Sequence, residues 1–188
     1  MRVISAWGTG SERVISGISA GFRDAGVPHC LISRDCGSTR GRRGDGYAID
    51  VAGDAREEDA DVILVSADRP LFLRGFSEAV MIVCPEARGD ADFAGRAYVI
   101  TDGEIEVPSG LKRFPLISCG MGVKNTVTFS SIRPDGGMIC LQRRLNTFSG
   151  KVAEPQEYPF RRFEGEGFVP LAVFTALLIC DCFDESGG

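Results

Sequence analysis

The sequence has little of what most catalytic sites require. It holds one histidine, His29, and one tryptophan, Trp7, among 188 residues. With a single imidazole and no Gly-x-Ser-x-Gly elbow, acyl-transfer catalysis has little support. Cys180 and Cys182 form no Cys-x-x-Cys pair and have no neighbouring histidine, so no zinc or other metal site is expected. Long apolar runs are missing too. The longest, residues 169–180, contains Pro170 and falls short of the ~20 residues that cross a bilayer, so it reads as a buried helix and no membrane partner is expected. An excess of positive charge is also missing. The net charge of −5 argues against general nucleic-acid binding. The first strand-like run is too short for a signal-peptide core, so no export signal is expected. Seven cysteines, an odd number scattered mostly through apolar segments, read as reduced core thiols and imply a cytoplasmic location.

A hydrophobic content of 44% in this length predicts one compact domain over residues 1–188 with a substantial core. Residues 2–26 organise it. Arg2-Val3-Ile4-Ser5-Ala6 reads as a strand, Trp7-Gly8-Thr9-Gly10-Ser11-Glu12 as a glycine turn, and residues 13–25 as a helix with Val14, Ile15, Ile18, Phe22 and Ala25 on one stripe and Gly26 as its stop. In such a unit the turn and the helix N-terminus aim backbone N–H groups at the end of the strand, a ready anion site. The candidate ligand-binding residues are therefore Gly8, Thr9, Gly10, Ser11 and Arg13, and no catalytic residue is assigned. Thr9 and Glu12 fit a capping box with Thr9 as N-cap.

Residues 27–33 read as a second strand, parallel to the first through a helical crossover, and a lone strand histidine such as His29 reads as structural. Residues 34–46 turn abruptly to glycine and arginine and read as a mobile loop. Arg40, Arg42 and Arg43 there are secondary candidates for gripping a phosphate or carboxylate. A short strand at 47–51, a buried strand at 62–66, a short helix at 71–79, and strands at 80–84 and 97–101 follow. Asp35, Asp68 and Asp102 close strands and would gather at one edge of a parallel sheet; Asp35 and Asp102 join the secondary candidates. Beyond Pro115 come a strand at 116–119, a hairpin of 126–132 with 138–145 around Pro134-Asp135-Gly136-Gly137, an edge strand at 152–160 broken by Pro155, and a closing helix at 169–183. The fold class is α/β, a three-layer P-loop/Rossmann-like arrangement with a mainly parallel sheet and an antiparallel extension in the C-terminal half.

Two nucleotide-binding signatures use a glycine turn of this kind. A phosphate-binding loop needs Gly-Lys followed by Ser or Thr, and here Gly8-Thr9-Gly10-Ser11-Glu12-Arg13-Val14 lacks the lysine and puts Glu12 near its place. A dinucleotide fingerprint keeps Gly8-x-Gly10 and replaces its third glycine with Arg13, while Asp35 stands near the ribose-binding acid. In the order of its parts the chain resembles the central, ATP-binding domain of Mur ligases, which join amino acids to peptidoglycan precursors. Residues 3–26 are similar to that family's strand, Gly-Thr-Asn-Gly-Lys-Thr loop and helix. Val99-Ile100-Thr101-Asp102 is similar to its strand ending in an Asn-Ala-Asp-Asp type motif, Leu116-Ile117-Ser118-Cys119-Gly120 to its later strand ending in glycine, and residues 169–176 to its alanine-rich helix.

The departures fall on the chemistry. The loop lacks its lysine and magnesium-binding hydroxyl, Asp68-Arg69 stands where an Asp-His is expected, and Leu171 falls near an expected nucleotide-contacting Asn. No stretch corresponds to the family's substrate-binding N-terminal and C-terminal domains. The resemblance therefore implies a Mur-like fold without its ATPase machinery, and ATP-dependent ligase activity is not expected. The leading expectation is a non-catalytic module that binds a small phosphorylated or otherwise anionic ligand, or a protein partner, at the glycine turn, with no cofactor required. Two alternatives stand beside it: an NAD(P)-dependent oxidoreductase-like protein that binds a nucleotide or dinucleotide through Gly8, Gly10 and Asp35, and a structural subunit whose edge strand near 152–160 pairs with a second copy or another chain. A glycosidase pair among the 26 acidic residues is not singled out, because α/β strand ends carry aspartate in any case.

Overall fold

The computed structural model describes residues 1–34, 42–43, 46–50, 60–133, 136–161 and 167–183, with backbone alone at 34, 42–43, 46–50 and 161. In chain order the elements are β1 (Arg2–Trp7), α1 (Ser11–Asp24), β2 (His29–Arg34), β3 (Arg42–Arg43), β4 (Gly46–Asp50), β5 (Val62–Ala67), β6 (Leu71–Arg74), β7 (Glu78–Val83) and β8 (Arg96–Asp102). A short 3-10 turn, Ser109–Leu111, precedes β9 (Leu116–Cys119), β10 (Val127–Arg133), β11 (Gly136–Leu141), β12 (Leu145–Asn146), β13 (Val152–Ala153), β14 (Gln156–Arg161) and α2 (Phe168–Ile179).

Nine strands form one sheet in the order β14-β11-β10-β9-β8-β7-β1-β5-β2. From β2 to β10 every neighbouring pair is parallel, and β11 and β14 add the antiparallel extension. The fold is thus α/β with a mostly parallel mixed sheet and low helix content. β1 lies between β5 and β7, pairing Trp7 with Ala67 on one side and Val83 on the other. Such a strand is covered on both faces, and accordingly Val3 to Trp7 are all buried. The crossover from β1 through α1 reaches a parallel β2, but β5 inserts between the two.

The two faces are covered differently. Ile4, Leu64, Ile82 and Ile100 face α1 and α2 and share one core with them. The helices touch closely because α1 carries glycine where α2 presses on it: a methyl group at Gly17 would sit 2.8 Å from Val173 Cγ2, and one at Gly21 2.5 Å from Leu177 Cδ1. Val169, Val173 and Leu177 meet Gly10, Gly17 and Gly21 in that order, so the helices run in the same direction. On the opposite face Val3, Trp7, Ile63 and Met81 share a second core with Leu71, Leu73, Phe93 and Leu111. These come from β6, which belongs to a small sheet β3-β4-β6, and from irregular connections.

Four local expectations are corrected. Residues 71–79 are β6 and the start of β7 where a short helix was expected, because Leu71 and Leu73 alternate with Phe72 and Arg74 as β6 pairs with β4. Part of the expected loop at 34–46 is strand, since Arg42–Arg43 is β3 and β4 begins at Gly46. The edge segment divides at Pro155 into β13, which pairs with β12, and β14, which forms the border of the large sheet. The closing helix ends at Ile179; Cys180 caps it, and Asp181 turns left-handed at φ 58°. The hairpin of β10 and β11 is found as expected, pairing Val127 with Leu141 at one end and Arg133 with Gly136 at the other, with a one-residue register shift between Phe129 and Ser131. Its turn residues Pro134 and Asp135 lie outside the described residues.

Candidate functional site

Three residues, Gly8, Thr9 and Gly10, connect β1 to α1. Gly8 has φ 99°, and a methyl group on it would lie 2.8 Å from the Pro85 carbonyl oxygen and 2.9 Å from Ala87 Cβ. The turn is held against the segment after β7: Thr9 N–H donates to Pro85 O at 2.8 Å and Cys84 N–H to Trp7 O at 3.0 Å. Gly10 is the N-cap of α1 at φ 84° and has no side chain to cap the helix. This corrects the expected capping box. Thr9 lies one position too early, and its hydroxyl donates to Glu86 Oε2 at 2.7 Å. Ser11 Oγ donates to Ala67 O at 3.1 Å, tying the start of the helix to the end of β5.

A cavity of about 360 Å³ opens at this point, lined by residues 8–13 and 66–68. It gathers four of the five ligand-binding candidates around a free helix start, and Arg13 completes the set. Ser11 N–H donates to Gly8 O and Val14 N–H to Gly10 O, whereas the N–H groups of Gly10, Glu12 and Arg13 have no acceptor among the described residues. Unpaired N–H groups in the first turn and the helix dipole favour an anion. The side chains are mixed in charge. Glu12 and Asp68 bring carboxylates and Arg13 a guanidinium, while Arg69 Nε approaches Asp68 Oδ2 at 3.9 Å.

The secondary candidates do not join this cavity in the described structure. Asp102 closes β8, which β7 and β1 separate from β5; three strand spacings, roughly 14 Å, part it from the end of β5. Its Oδ1 accepts from Glu104 N–H at 3.0 Å, a local turn bond, so the gathering expected for Asp68 and Asp102 is corrected to two separate positions along one edge. Asp35 and Arg40 lie outside the described residues. Arg42 and Arg43 form β3 at the border of the small sheet, and their side chains also lie outside the description. Ser66 and Glu86 were missed from sequence. Ser66 becomes legible only when β5 is known to flank β1, in the register Ala6 to Ser66.

His29 is structural. Nδ1 lies 2.8 Å from the Val27 carbonyl, which only accepts, so Nδ1 carries the proton and Nε2 accepts from the Ser19 hydroxyl at 2.7 Å. Six cysteines are described, all free thiols. Burial pushes the Cys84, Cys119 and Cys180 thiols up to about 12. They are expected to stay unmodified by Ellman's reagent at pH 8 until the chain unfolds, as timed thiol counts with and without denaturant would record. The folded state keeps these protons above the ordinary thiol value of 9.0, where an unfolded chain loses them. Stability is therefore expected to be independent of these groups below that pH and to fall as pH rises from 9 toward 12, measured by urea titration.

Among the described residues, no helix is long and apolar enough to cross a membrane, and no three His, Cys, Asp or Glu side chains come together as metal ligands. A comparison with protein-family models gives no match, and neither does one with curated proteins.

Proposed function

We propose that this chain is a non-catalytic, Mur-ligase-like module of P-loop/Rossmann-like descent that holds a small anionic group over the N-terminus of α1. One observation carries the reading: the cavity between residues 8–13 and 66–68 sits at the carboxyl ends of β1 and β5, where the first turn of α1 leaves N–H groups unpaired. Ligands of open α/β sheets bind at that end of the strands. ATP hydrolysis is not part of the reading. Among the described residues no lysine lines the cavity to neutralise a transferred phosphoryl group, and two carboxylates line it instead. The free thiols favour a reducing, cytoplasmic location.

The test is thermal unfolding of the full chain with inorganic phosphate, sulfate, acetate and ATP, each with and without magnesium. Ligand at a hundredfold excess over its dissociation constant stabilises the folded state by about 2.7 kcal/mol, a shift of several degrees. A magnesium-independent shift with a small anion is expected, and Gly10→Asp should abolish it. That variant suits the purpose. A Cβ at Gly10 has 3.6 Å of clearance to Val169 Cγ2, and aspartate is among the few residues that enter the left-handed region, so the carboxylate reaches the site without a steric clash, at the backbone strain that φ 84° imposes on any side chain, about 1–3 kcal/mol. Magnesium-dependent ATP hydrolysis that disappears in Gly10→Asp would overturn the reading.

The three-residue connection supports a second reading, since a dinucleotide site also uses a short Gly-x-Gly turn, whereas a P-loop places more residues between strand and helix. Saturable binding of reduced nicotinamide cofactors, lost in Asp35→Ala, would favour it.

A further inference from the structure

We draw no further inference here: the strongest candidate, the cavity of about 460 Å³ between the β12–β13 hairpin and the end of α2, carries nothing, because its charged side chains pair within the chain, Lys151 with Asp181 and Glu154 with Arg144, and nothing in the structure shows what would occupy it.

Discussion

Gly8→Val is expected to lower stability by roughly 2–6 kcal/mol, because two costs of about 1–3 kcal/mol each act together. The first is conformational. At φ 99° a β-branched side chain sits far outside its allowed region. The second is steric, since its Cβ would meet the Pro85 carbonyl oxygen at 2.8 Å and Ala87 N at 3.0 Å, both backbone atoms that cannot rotate away. Relief requires the turn to leave the segment after β7, which breaks the Thr9 to Pro85 hydrogen bond and shifts the start of α1. Against a typical total of 5–15 kcal/mol, this is a large fraction. Urea unfolding gives the stability and titration of the surviving folded fraction gives the affinity; both are expected to fall. A stability within about 0.5 kcal/mol of the original, the range of a neutral surface change, would show that the close packing of this turn is not needed.

Phe174→Ala is expected to cost about 3–5 kcal/mol, the range for removing a buried aromatic side chain from a core. Phe174 is fully buried on α2, with its ring 5.1 Å from that of Tyr158 on β14 and 4.8 Å from that of Phe183 beyond the helix. The ring joins the helix to the border strand of the sheet, so the cavity left behind weakens both attachments. Anion affinity, measured where the variant is still folded, is expected to stay within about twofold, since residues 8–13 and 66–68 form the cavity without it. The two substitutions thus separate stability from binding: Gly8→Val lowers both and Phe174→Ala lowers only the first.

The parts legible in the sequence are those whose signal is local. Val62 to Ser66 reads as a strand because an apolar run bounded by polar residues suits a strand covered on both faces, and β5 is buried throughout. The stripe of Val14, Ile15, Ile18 and Phe22 predicts α1 and the face it buries. Local signals also mislead where two periods fit the same residues. Leu73, Phe76 and Ala79 recur at helical spacing, and only pairing with β4 makes residues 71–74 a strand. Thr9 and Glu12 have the spacing of a capping box, yet Glu86, 77 positions later in the chain, takes the Thr9 hydroxyl.

By itself the sequence determined most of the element types, the glycine turn after the first strand, the antiparallel hairpin and a set of thiols that belong in apolar surroundings, because periodicity, turn chemistry and hydrophobicity act between near neighbours. Strand order was decided only by the tertiary structure, and with it everything that depends on which strand lies beside β1. Placing β5 there brings Ser66 and Asp68 to the start of α1 and leaves Asp102 three strands away. It also sets both helices on one face and a small sheet with irregular connections on the other. Contacts of that kind join residues tens of positions apart, and their free energy comes from burying a shared surface, which no stretch of the chain encodes alone.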